Sequence, residues 1–233
     1  MPPADYVELR CRSAFSFLRG ASLPEDLVAR AADLGCDALA LADRNGVYGA
    51  PRFFQAAKRA GLRALVGADV TVAGAGQLLL LVEDRTGYRN LCRLLTEGAL
   101  GRAKGDAQVG WDVLEAHAAG LHCLAGGADG PLAGADAGTH LGRLCDIFGA
   151  RLAVDVQRTR ERDAERLARR LADLADARGV PVVATGDVRH AEPATKALLD
   201  VLTCIRLGTT LDRAGRALLG NAERHLRTPA AMA

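Results

Sequence analysis

Lysine is nearly missing from this chain: of 30 basic side chains in 233 residues, only those at positions 58, 104 and 196 are lysines. The cations are therefore guanidinium groups, fixed in charge and planar in their hydrogen bonding. Net charge is small as well, +2, so no overall attraction to nucleic acid or to an anionic membrane is implied, and any such binding has to be local. The six cysteines, at 11, 36, 92, 123, 145 and 204, form no Cys-x-x-Cys pair. That argues against a zinc finger and against disulfides, and suits reduced thiols in a cytoplasmic protein. No basic-then-apolar leader opens the sequence, and the longest aliphatic run, residues 78–82, is far too short to cross a bilayer. No membrane role is expected. Among catalytic signatures there is no Gly-x-x-x-x-Gly-Lys phosphate loop, no Gly-x-Ser-x-Gly elbow and no cysteine beside a plausible histidine base.

What is present is a chain with 49% hydrophobic side chains, enough for a sizeable core. Apolar runs and their punctuation predict strands at residues 7–13, 36–43, 63–72, 77–83, 121–127, 151–157 and 180–190. Helices are predicted at 23–34 behind Ser22 as cap, then at 49–60, 88–99, 111–118, 140–148 and 160–178. Gly74-Ala75-Gly76 turns the third strand into the fourth as a hairpin. Residues 160–178 carry Leu167, Leu171 and Leu174 on one stripe, with Glu165, Arg169 and Asp173 spaced four apart on the solvated face. About seven strands alternating with helices predict an α/β fold of the parallel β/α barrel kind, where functional side chains gather at the carboxyl ends of strands. Near the end, Thr228 reads as a cap and Pro229 as the first residue of a helix. One turn is not stable alone, since about 12 residues are needed. The expectation is a barrel over residues 1–206, followed by a loosely packed connector over 207–233 cut from something longer.

The strand ends share one chemistry. Arg10 and Arg12 point the same way from the first strand with Glu8 behind them, Asp43 and Arg44 end the second, Asp69 lies on the third, and Asp187 with Arg189 closes the last. Asp155 is a further possible member. Carboxylates converging at a barrel mouth repel unless cations sit among them, and here the cations are covalently attached.

The stretches at residues 8–13, 38–46, 66–69 and 184–189 resemble the polymerase-and-histidinol-phosphatase (PHP) domain, and those at 88–96, 200–211 and 221–226 narrow the resemblance to the error-prone branch of bacterial DNA polymerase III α subunits. It covers nearly the whole chain. The resemblance implies a distorted (β/α)7 barrel at the amino end of a DNA polymerase, with the remainder of that chain as its partner and DNA reached through it. A sliding clamp or accessory mutagenesis proteins would be met through the same parent. Metal-binding members of the family, which use zinc, manganese or magnesium, carry His-x-His where this chain has Arg10 and Arg12. They carry Asp-His at Asp43 and Arg44, Glu at Asp69, and Asp-x-His at Asp187 and Arg189. Four imidazoles have become arginines, and a guanidinium has no lone pair for a metal. These seven residues are therefore read as a vestigial metal site, and no cofactor is expected. Asp43, Asp69 and Asp187 are weak candidates for a hard ion held through water. His190 lies one place beyond the family position and on the other face of a strand. His117, His122, His140 and His225 fall outside the motifs.

The leading functional reading is a non-catalytic structural module of an error-prone, repair-associated polymerase, with arginines acting as internal counter-ions and no activity in this chain alone. The alternative is a metal-dependent phosphoesterase or proofreading 3′-5′ exonuclease with a reduced metal set. A third reading makes the arginine-rich mouth an anion site touching the template or primer backbone.

Overall fold

The computed structural model describes residues 6–232. Six strands, β1 (Ala38–Arg44), β2 (Arg63–Val72), β3 (Gly76–Val82), β4 (Leu121–Leu124), β5 (Leu152–Val156) and β6 (Val182–Ala184), form one curled sheet in that sequential order. β3 runs antiparallel to both β2 and β4, while the β1–β2, β4–β5 and β5–β6 pairs are parallel. The sheet is therefore mixed rather than purely parallel. The cause is the expected hairpin: Gly74 and Gly76 both adopt positive φ, and a Cβ on Gly76 would run into the Asp129 carbonyl, so only glycine turns the chain there.

Residues 8–12 take the place expected of a first strand, but they pair through isolated bridges. On one side Ala40 and Ala42 donate to the Glu8 and Cys11 carbonyls (2.9 and 2.8 Å); on the other, Arg12 N–H donates to Val188 O (2.9 Å) and Val188 N–H to Arg10 O (2.8 Å). The ladder is broken because the Glu8 carboxylate takes the Arg10 N–H at 2.8 Å. The last predicted strand is likewise shorter: β6 stops at Ala184, and beyond it Asp187 turns the backbone into the left-handed region at φ 46°, a conformation aspartate tolerates better than most residues.

Period two decides what faces where. Leu39 and Leu41 of β1 pack outward on α1 (Pro24–Asp33) and α2 (Ala50–Ala60), in a cluster with Leu27, Val28 and Phe53. Val70, Val72, Leu78 and Leu80 pack outward with Leu91 and Leu94 of α3 (Arg85–Ala99) and with Leu141, Leu144 and Phe148 of α5 (Ala137–Phe148). The short α4 (Trp111–Ala116) and the long α6 (Arg162–Asp176), whose Leu171 is buried and whose Leu167 and Leu174 are partly so, complete that layer. On the concave face Ala40, Ala42, Leu79, Leu81 and Leu124 form a dry plug. Polar residues of the same parity, Asp69, Gln77 and Asp155, lie one or two positions along each strand, buried like the plug itself.

Several element ends differ from the sequence reading for local reasons. Leu23, not Ser22, caps α1, with the Asp26 carboxylate accepting from its N–H at 3.1 Å. Ser22 Oγ instead accepts from Ala191 N–H at 2.9 Å, tying the two loops. α3 begins at Arg85 because Asp84 caps it, accepting from Gly87 N–H at 2.7 Å. The expected loose packing of the tail also needs correction. After α7 (Lys196–Leu207) and the single turn α8 (Leu211–Ala214), residues 221–227 fold back on the barrel, burying Leu226. The last turn, α9 (Pro229–Met232), does start at Thr228 and Pro229, with Thr228 Oγ1 accepting from Ala231 N–H at 3.2 Å.

Candidate functional site

Above the apolar plug the carboxyl ends of the strands converge on charged side chains. Arg10 lies along Asp155, with Nε to Oδ2 at 2.7 Å and Nη2 to Oδ1 at 3.1 Å, a two-pronged contact, while its Nη1 reaches Asp69 Oδ1 at 3.3 Å. Arg12 Nη2 donates to Asp69 Oδ2 at 2.6 Å and stands 3.6 Å from Asp187 Oδ1. Arg189 bonds Asp187 Oδ2 through Nη2 at 2.9 Å and Nε at 3.2 Å, and Arg224 meets the same oxygen. Three acids and four guanidinium groups thus form one unbroken chain of contacts. Arg10, Arg12, Asp69, Asp155 and Asp187 are all at most 5% exposed, so screening by solvent is weak.

The surrounding polar groups hold this chain in position. Asp155 Oδ2 also accepts from Gln157 Nε2 (2.6 Å) and Thr185 Oγ1 (3.1 Å). Gly126 permits the approach, because a Cβ there would collide with the Asp155 backbone and carboxylate. Gln77 serves both its neighbours when its amide nitrogen faces Asp69 Oδ2 (2.6 Å) and its oxygen faces Arg44 Nη2 (3.0 Å). Glu8 accepts from Tyr6 Oη (2.7 Å) and Gly186 N–H (2.8 Å); burial lifts its pKa to about 7 despite these bonds. Burial acts the same way on Asp187, but Arg189, Arg12 and Arg224 outweigh it and hold that carboxyl well below its ordinary range. Arg189 is drawn down to about 10, first by burial and then by the neighbouring Arg12 and Arg224. The space left among these groups is a cavity of about 20 Å³ lined by Arg10, Arg12, Arg189 and the 126–130 loop, little more than the roughly 10–15 Å³ one water needs.

Of the residues singled out from sequence, Arg10, Arg12, Asp69, Asp187 and Arg189 meet at this mouth, and Asp155 joins them. Asp43 and Arg44 do not pair there. Neighbours on a strand face opposite ways, so Arg44 turns inward to Gln77, whereas Asp43 is held by Ser13 N–H and Oγ (both 2.8 Å) and by Ser16 Oγ (2.7 Å). Its pKa is raised by burial, which those hydrogen bonds only partly offset. His190 lies away from the mouth, bonding Glu192 O through Nδ1 at 2.8 Å and facing the His225 ring. Sequence reasoning missed Arg224, which no local pattern could link to Asp187, and the serines beneath Asp43, for which the run Ser13 to Ser16 was the available signal. Among the described residues no group of three or more His, Cys, Asp or Glu side chains is arranged to hold a metal ion.

Residues 8–181 match the PHP domain. The chain belongs to the PHP domain family. Its sequence is 50% identical over 244 aligned residues to an error-prone DNA polymerase of Anaeromyxobacter dehalogenans (strain 2CP-1), covering 98% of this chain and 20% of that protein. An error-prone DNA polymerase of Pseudomonas syringae pv. syringae is 39% identical, over 96% of this chain and 22% of its own length. This PHP chain thus spans about a fifth of the curated relatives it matches. Its fold resembles a putative metal-dependent phosphoesterase from Bifidobacterium adolescentis (TM-score 0.56, 16% identity, 80% of this chain and 88% of that one). It also resembles a lesion-specific endonuclease from Pyrococcus furiosus (TM-score 0.50, 11% identity, 79% and 48%). No helix of this PHP domain, among the described residues, is long and apolar enough to cross a membrane.

Proposed function

We propose that this chain is a non-catalytic, structural PHP domain of an error-prone, repair-associated DNA polymerase, and that fixed arginines do at its mouth what metal ions do in metal-binding members. The observation that carries this reading is Arg10 spanning Asp155 and Asp69 while Arg12 spans Asp69 and Asp187. The residues present do not fit a transition-metal cluster. The mouth carboxylates are engaged by guanidinium nitrogens, which have no lone pair to give, and the cavity among them holds about one water. Relatives about five times longer support assigning the rest of a cytoplasmic polymerase chain as the partner; contact with DNA, a clamp or mutagenesis proteins would come through that parent. Reading residues 8–12 as a seventh strand makes the fold a distorted (β/α)7 barrel, and a boundary at residue 206, with 207–233 as a connector whose residues 221–227 fold back on the barrel, belongs to the same proposal.

The test is elemental analysis of the purified chain together with hydrolysis assays on phosphate esters and single-stranded DNA ends. The expected outcome is substoichiometric zinc and manganese with no chelator-sensitive hydrolysis. Two bound metals per chain with such activity would replace this reading by the phosphoesterase one.

A further inference from the structure

The mouth carboxylates occupy Arg10, Arg12, Arg189 and Arg224, yet three more arginines near its rim form no salt bridge. Among the described residues Arg19, Arg44 and Arg206 make no salt bridge. Two of them ride on loops fastened to each other. Ser16 Oγ donates to Asp43 at 2.7 Å and accepts the Arg44 N–H at 3.0 Å, so the loop carrying Arg19 and the turn after β1 are one unit. Left-handed backbone at Leu18 (φ 58°) and Asn45 (φ 49°) sets the direction of each. The third cation comes from the last turn of α7. Arg19 is drawn down to about 10, first by burial and then by Arg44, Arg206 and Arg12, with Asp129 opposing; burial, Arg12 and Arg206 also lower Arg44, against Asp69 and Asp129. Like charges gathered this way repel unless an anion lies between them.

The same two loops each turn an aromatic ring to solvent. Phe17 is 79% and Tyr48 72% exposed, more than any other large apolar side chain among the described residues, in a chain where only 4% of residues are aromatic. Arginines next to uncovered rings suit a strand whose phosphates need cations and whose bases offer free faces; a lone phosphate has no use for the rings, and a duplex hides its bases. We propose that this rim binds single-stranded nucleic acid, with successive phosphates on Arg19, Arg44 and Arg206 and bases stacked on Phe17 and Tyr48. This goes beyond the structural reading of the mouth and uses none of its salt-bridged arginines.

The experiment is fluorescence anisotropy of a labelled oligothymidylate of about 12 nucleotides titrated with the purified chain between about 50 and about 200 mM salt. The parent is expected to bind with a steep salt dependence. Arg19→Gln with Arg206→Gln should weaken binding and flatten the log–log salt slope by about 1.4, two single-strand phosphates at about 0.7 each. Phe17→Ala with Tyr48→Ala should cost about 5- to 150-fold per base unstacked while leaving the slope alone. Arg166→Gln, on the exposed face of α6, should change nothing, and thermal melts check that every variant folds. No binding at the lowest salt, or rim variants that bind like the parent, would overturn the proposal. Equal competition by inorganic polyphosphate would also overturn it, reducing the rim to a bare anion site. Tighter binding of an acidic, aromatic peptide would make it a protein-docking surface instead. Metal content and hydrolysis are silent about the rim, so this proposal and the structural reading fail separately.

Discussion

Arg12 touches two acids at once while almost fully buried, and that sets what its loss should do. Arg12→Ala leaves Asp69 and Asp187 short of a counter-charge in a poorly solvated place, a loss of about 3–5 kcal/mol when a buried pair is broken from one side. Arg52, paired with Glu25 at 2.6 Å but about half exposed, is the control, and its alanine variant should change stability by about 0–1 kcal/mol. Denaturant titration of the two variants checks the contrast; equal midpoints would mean the mouth arginines are drift. Glu8 makes a prediction of opposite electrostatic sense. Its pKa rises from 4.5 to about 7 in the fold, so the folded chain keeps a proton that the unfolded chain releases. The contribution of Glu8 to stability is then fully present below pH 4.5 and falls by about 3 kcal/mol as pH climbs to 7. Asp187, held low, contributes above pH 3.8 and loses its contribution only in stronger acid, outside that window. His190, lowered by burial from 6.5, loses stability as pH falls through the same region, so the useful quantity is the difference between parent and Glu8→Gln. That difference should shrink by about 3 kcal/mol between pH 4.5 and 7.5; parallel profiles would mean Glu8 is ionised throughout.

At the scale of elements, the strands and helices were legible from period alone because most bury one face against one layer. The Leu167, Leu171 and Leu174 stripe and the Gly74–Gly76 hairpin both appear where the pattern put them. Ends were less legible, since they depend on groups distant in sequence: Ser22 is drawn away from α1 by Ala191, and Asp187, beyond the end of β6 at Ala184, turns left-handed and meets Arg224. The mouth was legible where a residue's parity alone fixes its face, as for Arg10, Arg12 and Asp69, and misleading where two neighbours were taken together, as for Asp43 and Arg44. α7 carries a further expectation. Leu199 and Cys204 are buried, while Leu198, Val201 and Ile205, spaced three and four apart, are 41–61% exposed. A stripe of that kind promotes association of the isolated chain. Val201→Glu with Ile205→Glu should therefore raise the monomer fraction in sedimentation while changing stability by no more than about 0.5 kcal/mol each, as surface changes do. A loss of several kcal/mol would mean the face is internal.

For the molecule as a whole, the question is whether residues 221–227 belong to the barrel or merely leave it. No pattern within residues 221–227 marks a contact with the mouth, so they read as untethered from sequence. The structure ties them in four ways. Arg224 meets Asp187, its carbonyl accepts the Arg189 N–H at 2.9 Å, His225 bridges His190, and Leu226 is 1% exposed in the cluster with Leu27 and Phe53. A chain ending after residue 220 would uncover that cluster and remove one of three arginines from Asp187. Loss of the buried leucine alone costs about 2–5 kcal/mol by analogy with truncation to alanine, and the stranded carboxylate adds to it. The truncated chain should accordingly melt many degrees lower, with the part of the deficit due to Asp187 constant above pH 3.8 and shrinking only in stronger acid, where that carboxyl takes up a proton. In the chain as it stands, amides of residues 224–226 should exchange slowly while those of 209–220, which bury little, exchange fast. Uniformly fast exchange from 209 to 232, with an unchanged melt on truncation, would return the whole tail to the status of a connector.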